Sequence, residues 1–445
     1  MTKKIKIKPM KKLAAVLLNF IIIYNAQADK KESQSGKTSF DISIDAGTKI
    51  TIFGDKDVII EEGSKGIIEL EVIANFKGDE NEEVLNFINN LEQEVRSKIT
   101  RDQHDLIINT NPNEPNKVRK ETRFFGFVTY YFYEKLELNY KLKIPRSNPI
   151  YINTSYNDVR MTGSFKKVSM ELNSVGFRAS DIEEIVVNAK YGDIKIGSVK
   201  NAKIGLYEND LKAKNISKGT IESRYSDISI ENSENINLNC YEGNLEIQFA
   251  RELRGTTKYT DIEIEEEIKN LYLKSAYEGK IELAKIDELK VLSSRYVDYE
   301  IGTVKVIDFT DSYEDDLSIE KADKINFKGK YNKIDLGVLN GSFTGDFYEG
   351  EIDIQTTGPG ASELDFKGTY VKVIMEILNQ PFKINANLNY GSLSVPREIA
   401  YARKDYSKEG AKINASYRTK DFQENSLNLN FNGYEMDIDL VISGM

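Results

Sequence analysis

Several residues in this 445-residue sequence could do chemistry. Asp311, Asp315 and Asp316 cluster beside Tyr313, and Asp287 and Glu288 share a turn. Paired carboxylates serve glycoside-cleaving enzymes, and grouped ones serve calcium. His104, the one histidine, stands before Asp105 and Leu106, and Cys240 is the one cysteine. The run Phe124-Phe-Gly-Phe-Val-Thr-Tyr-Tyr-Phe-Tyr133 offers aromatic faces that stack on sugars or sit at a membrane interface. Each has a plainer reading. Acids at every turn of an acidic chain are expected as solvated corners, His104 as the start of a strand, and the aromatic run as a hairpin covering one end. Calcium-binding Gly-Gly-x-Gly-x-Asp repeats, phosphate-cradling loops and nucleophile elbows are absent from the sequence. The residues therefore predict no catalytic, cofactor or metal site. The candidate interaction surface is Phe124, Phe125, Phe127, Tyr130, Tyr131 and Tyr133.

The elements that would position these residues come from a repeat. Tyr191-Gly-Asp-Ile-Lys-Ile, Tyr225-Ser-Asp-Ile-Ser-Ile and Tyr259-Thr-Asp-Ile-Glu-Ile alternate with Tyr207-Glu-Asn, Tyr241-Glu-Gly and Tyr277-Glu-Gly, continuing to Tyr348-Glu-Gly. Tyrosines recur every 16 to 19 residues, and Val175-Gly-Phe-Arg stands where one member is missing. A fixed period of this kind predicts a solenoid. A coil of the full superperiod would stack Glu208, Glu242 and Glu278 about 4.8 Å apart, each pair repelling by about 0.9 kcal/mol even in bulk water. The shorter coil, 17–18 residues, doubles that separation and is preferred. About 12 coils then make a rod of roughly 55 to 60 Å. Parity along Leu271, Leu273, Ser275 and Tyr277 predicts that the tyrosines point inward as a structural ladder, small residues two positions earlier leaving room for the rings. The alternative is a tyrosine row exposed to bind glycans.

Around the repeat the chain divides into parts. Lysines up to Lys12, an apolar run from Leu13 to Tyr24 and Ala26-Gln27-Ala28 read as a signal peptide over 1–28. Its removal takes six lysines and no acids from a formal charge of −10, leaving −16. That charge argues against nucleic acid as a partner and against a polybasic face on anionic lipid. Residues 29–149 read as a mainly β region with one helix near 80–99, capped by Asp79 and striped with Val84, Ile88, Leu91, Val95 and Ile99, docked as an end cap. Residues 150–370 read as β-solenoid, free of proline from Ile150 to Gly358 as interior strands require, and 371–445 as irregular terminal coils closing the other end. The expected fold class is thus all-β, a parallel β-helix with an N-terminal β region.

The strand end Lys143-Ile144-Pro145 followed by tandem Tyr-Gly-Asp-Ile-x-Ile units resembles the bacterial "putative adhesin" family of right-handed β-helical envelope proteins, over roughly residues 38–370. Turns here carry Glu-Gly or Glu-Asn where that family favours Gly-Asp, and tyrosine is more frequent. The resemblance implies a β-helix and an envelope location, and it brings no site residue. The expectation is an exported, non-catalytic, adhesin-like binding or scaffold protein, in the periplasm, on the cell surface or secreted. Its partner would be an envelope glycan or another envelope protein, with no cofactor and no transmembrane segment in the mature chain. Two alternatives remain: a polysaccharide-acting lyase or hydrolase, which would show long insertions and clustered acids over a mid-solenoid groove, and a periplasmic partner in envelope signalling.

Overall fold

Alternating apolar and polar residues over short stretches, punctuated by corner residues, give a backbone that buries every second side chain and must turn often. The computed structural model describes residues 33–77, 82–102, 104–113, 119–124, 128–133, 136–396 and 401–443. The predicted signal segment 1–28 and the helix cap Asp79 lie outside them. Among the described residues the chain winds into an all-β solenoid, 19 strands of which form one continuous, mostly parallel sheet. Coil length follows from the register: Asp210 pairs with Asp227 and Asp298 with Asp316, so one turn takes 17 or 18 residues. Glu208 and Glu242 consequently sit two coils apart with Tyr225 between them, as their repulsion required.

Each coil encloses a thin apolar core. In the coil after Tyr191, Ile194 and Ile196 face inward from one flat side, Val199 from a corner, and Ala202, Ile204 and Leu206 from the opposite side. Burying such side chains stabilises by about 1.5–3 kcal/mol each for the larger ones. Their alternation with exposed lysines and aspartates fixes the register, because a one-residue slip would bring the charges inside.

The N-terminal strands continue both flat sides of the solenoid. Lys49–Gly54 pairs in parallel with Ile150–Ser155 on one side and Asp105–Asn109 on the other. Asp57–Gly63 joins Asp158–Asn173 to Leu136–Pro145. Beyond them the direction reverses, with Ile67–Lys77 antiparallel to Leu136–Pro145 and Ser33–Ser43 antiparallel to Ile67–Lys77. The predicted helix comes as two, α1 (Glu82–Asn89) and α2 (Leu91–Ser97), broken at Asn90 although Glu94 N still donates to Asn90 O at 3.0 Å. Val84, Phe87, Leu91 and Val95 are buried, whereas Ile99 has already entered a strand. The helices pack on Ser33–Ser43 and on Ile99–Arg101, bridging the edge strands of the two sides.

The C-terminal end is out of sequence order. Glu363–Ile377 pairs in parallel with Leu427–Ile442, which pairs in turn with Phe382–Asn389. The last segment of the chain is therefore slotted between two coils that precede it. Lys412–Thr419 and Tyr401–Glu409 then add antiparallel strands outside Phe382–Asn389.

Candidate functional site

One corner of the solenoid carries the tyrosines, and its geometry begins with the backbone. Each coil places one non-glycine residue in the left-handed region, with φ between 44° and 63°. In the Tyr-x-Asp coils that residue is the tyrosine itself, as at Tyr191, Tyr225 and Tyr259. In the Tyr-Glu coils it is the glutamate that follows, as at Glu208, Glu242 and Glu278. Ser174 takes the position in the coil that lacks a tyrosine. A left-handed residue costs about 1–2 kcal/mol when it carries a Cβ, and here it turns the chain from one flat side to the next.

The structure overturns the inward reading of the tyrosines. In the Tyr-x-Asp coils the tyrosine is itself the left-handed residue and leaves the alternation, whereas in the Tyr-Glu coils it precedes that residue and points outward directly after a buried Leu206, Cys240 or Ala276. Ala189 and Ser223, two positions before their tyrosines, are buried, but Tyr191 and Tyr225 are 49% and 43% exposed. Along the stretch from Leu271 to Tyr277, Leu271 and Leu273 face inward, yet Ala276 takes the next inward place and Ser275 and Tyr277 do not. The tyrosines line the outside of the corner as one row of edge-to-face contacts. From Tyr191 through Tyr207, Tyr225 and Tyr241 to Tyr259, consecutive ring centroids lie 5.6–5.7 Å apart with interplanar angles of 79–88°. The row runs on through Tyr348 and Tyr370 and crosses the reordered end as Tyr370–Tyr434–Tyr390.

The two coil types now have a physical reason. Identical coils would place rings face over face at the strand spacing of about 4.8 Å, whereas offset or perpendicular pairs are favoured. Shifting the tyrosine by one backbone position in alternate coils turns each ring across its neighbour.

The same shift leaves gaps beside the rings, and they are filled by charge. In register with the tyrosines of the Tyr-Glu coils stand the residues before the left-handed tyrosines: Arg224 pairs with Tyr241, Arg295 with Tyr277 and Lys330 with Tyr313. Lys190, Arg224, Lys258, Arg295 and Lys330 therefore form a column of exposed cations, one every second coil, about 9.6 Å apart. Glutamates fill the complementary gaps on the outgoing side. Lys258 Nζ lies 4.9 Å from the Tyr259 ring centroid and 5.1 Å from that of Tyr277, within cation–π range. The carboxylates are engaged differently: hydrogen bonds to Glu208, Glu278 and Glu314 push the hydroxyls of Tyr207, Tyr277 and Tyr313 above the usual tyrosine range. The sequence carried this signal openly in Lys190-Tyr191, Arg224-Tyr225 and Lys258-Tyr259, but an inward tyrosine row gave no reason to look for a partner beside it.

At its N-terminal end the cation side of the corner deepens into an open groove of about 1080 Å³. Lys190, Tyr207, Arg224 and Tyr241 form one wall, and Asn153, Glu171, Asn188, Glu222 and Asn239 stand along the floor. Gly205 belongs to the floor row but contributes no side chain, and a Cβ there would meet Asn188 Oδ1 at 3.0 Å.

The acids, histidine and cysteine that could have served catalysis do not assemble. Asp311 is exposed 3.4 Å from Arg295, Asp316 is exposed, and Asp315 is fully buried between them, so the expectation of solvated corners fails at that one residue. Burial pushes the Asp315 carboxyl up to about 6, although Ser312 Oγ and Val297 N donate to it. Asp287 pairs with Lys305 at 2.7 Å on the next coil, while Glu288 points to solvent. His104 is exposed at the start of its strand, where its backbone N donates to Asp102 Oδ1 at 2.9 Å. Cys240 faces the core and burial raises its thiol pKa. Among the described residues no group of histidine, cysteine and acidic side chains is arranged to hold a metal ion, and no helix is long and apolar enough to cross a membrane. Of the aromatic run, Arg119–Phe124 and Val128–Tyr133 pair as an antiparallel hairpin separate from the large sheet. That places Phe124, Tyr130, Tyr131 and Tyr133 on its strands; Phe125 and Phe127 lie outside the described residues.

No family model matches the chain, and no curated protein matches it. It is similar to several solved bacterial structures. A "putative adhesin" from Bacteroides fragilis is 13% identical with a TM-score of 0.32, covering 57% of this chain and 97% of its own. A "putative adhesin" from Parabacteroides merdae is 12% identical with a TM-score of 0.25, covering 76% and 96%. A "putative lipid binding protein" from Parabacteroides distasonis is 12% identical with a TM-score of 0.23, covering 70% and 96%. Two of these carry the name of the family that the Tyr-Gly-Asp-Ile units resemble. At such identities and scores the likeness carries nothing about ligand or site.

Proposed function

We propose that this chain is an exported, non-catalytic, adhesin-like binding rod of the bacterial cell envelope, residues 1–28 being its signal peptide. The observation that carries this reading is the corner: an exposed tyrosine row with a cation column on one side, repeated on a rigid frame. Aromatic rings flanked by charged hydrogen-bonding groups bind by stacking and complementarity, and such a row offers many equivalent contacts to an extended partner. Phe124, Tyr130, Tyr131 and Tyr133 would add a second aromatic contact beyond the solenoid. An enzyme of the β-helix kind needs carboxylates converging on one bond, whereas Asp287, Asp311 and Asp315 each turn to a different partner. The partner would be an envelope glycan or an envelope protein.

The test is retention. Purified protein lacking residues 1–28 is mixed with whole cells and with isolated envelope glycans, beside a heat-denatured control. Retention of the folded protein above that control is the expected result, and equal recovery of both overturns the reading. Release of reducing ends from acidic polysaccharides with added calcium would instead favour the enzyme.

A further inference from the structure

We propose that the cation side of the tyrosine corner, with the groove at its N-terminal end, binds a linear polysaccharide that bears a carboxylate on every second sugar. This rests on the binding-rod reading above and names the class of partner. Two periods point to it. Tyrosines recur once per coil, about 4.8 Å along the axis, close to the length of one pyranose in an extended chain. Cations recur once per two coils, about 9.6 Å, close to the length of a disaccharide. A polymer laid along the corner would therefore meet one ring per sugar and one cation per pair of sugars.

The chemistry of the groove agrees with the period. Asn153, Asn188 and Asn239 offer amide donors and acceptors to sugar hydroxyls, and Glu171 and Glu222 offer acceptors. Lys190 and Arg224 reach the same space from the wall. The two charged columns are not equivalent. Neither Glu208 nor Glu242 of the outgoing column lines the groove, whereas Lys190 and Arg224 do. Lys190 and Arg224 stand on the wall and Glu171 and Glu222 on the floor, so a chain bearing carboxylates lies with those groups turned to the wall and its hydroxyls turned to the floor. Asn173 pairs with Lys190 where the Tyr-Glu coils carry a tyrosine, and together with the bare Gly205 it opens the groove where the polymer would enter.

The experiment uses the protein lacking residues 1–28 and three probes of equal length: hyaluronan oligosaccharides with one carboxylate per disaccharide, oligogalacturonate with one per sugar, and neutral dextran oligosaccharides. Calorimetry compares wild type with K190Q/R224Q, whose exposed positions leave the fold intact, checked by an unchanged melting temperature. Hyaluronan binding at least about tenfold tighter than dextran, with about a tenfold loss in K190Q/R224Q, is expected from two charge-assisted contacts. Stronger binding of oligogalacturonate than of hyaluronan overturns the two-sugar register. Binding of no probe, or binding that K190Q/R224Q leaves unchanged, overturns the proposal. If cells still retain the protein in those cases, the binding-rod reading survives it; if they do not, both fall.

Discussion

Asp315 sits in a column that the other coils fill with neutral groups. The residue after the left-handed one is Asn157, Asn209 and Asn332 in three of them, all buried. Asp315 instead brings a carboxyl whose pKa is raised by burial from an ordinary 3.8 to about 6. The folded state thus binds the proton more tightly than the unfolded state. The stabilisation from that proton is complete below pH 3.8 and is lost as the pH rises through about 6. A shift of about two units corresponds to roughly 3 kcal/mol. Asp315→Asn keeps an oxygen for Val297 N and an amide for Ser312 Oγ while removing the charge. It is expected to stabilise the protein at pH 8 by up to about 3 kcal/mol and by little at pH 4. Urea unfolding at both pH values checks this, and an equal effect at both would show that the charge is not the cause. The left-handed corner gives a second residue-scale prediction. Glu242→Gly relieves a strained Cβ at φ 56° and is expected to gain about 0.5–1 kcal/mol after the added unfolded-state entropy of glycine. Tyr225→Gly relieves the same strain at φ 55° but removes two ring contacts at 5.7 Å. Its melting temperature should fall where that of Glu242→Gly rises.

At the scale of the coil, the stabilising unit is the pair. Deleting residues 226–242 removes 17 residues and sets Tyr225 next to Tyr259, two left-handed tyrosines in the same column. Deleting 226–259 removes 34 residues and sets Tyr225 next to Tyr277, so the edge-to-face alternation survives. The larger deletion is expected to melt at the higher temperature; the reverse order would mean that the alternation contributes nothing. Coil length was legible in the sequence because tyrosine spacing and glutamate repulsion both speak to it. The side the tyrosines face was not, since a left-handed residue that Gly does not mark takes Tyr191 and Tyr225 off the alternation, and the inward parity of Leu271 and Leu273 shifts to Ala276 just before Tyr277. The cation column was written beside every second tyrosine, yet it acquires meaning only once those rings are outside. Asp315 looked like its exposed neighbours, Asp311 and Asp316, because burial at a corner depends on the same left-handed turn. The helix stripe from Val84 to Val95 was readable, but its last member, Ile99, belongs to a strand that the register of Asp105–Asn109 claims.

For the molecule as a whole, the ends decide whether the rod is a monomer. Parallel coils expose a row of unpaired N–H and C=O groups at each end, a template for aggregation. At the N-terminal end α1 and α2 bridge the last strands of the two sides. The C-terminal end is closed by a segment that arrives last and is inserted: Leu427–Ile442 lies between Glu363–Ile377 and Phe382–Asn389. Units around Tyr370, Tyr390 and Tyr434 look alike in sequence, so their order in space could not be read from it. The consequence is a dependence on the final residues. Without them Glu363–Ile377 keeps a bare edge, and the strands Phe382–Asn389, Lys412–Thr419 and Tyr401–Glu409 lose their attachment to the rod. A chain ending at Ser426 is therefore expected to self-associate through that edge, seen as oligomers on size-exclusion chromatography with light scattering. The intact chain should elute as a monomer under the same conditions. Hydrogen exchange separates this from a general loss of stability: amides of the central coils, such as those of Asp227–Val291, should keep their protection in the shortened chain while those of Phe382–Asn389 lose it. A monomeric shortened chain with Phe382–Asn389 still protected would show that the inserted coil is not what closes the end.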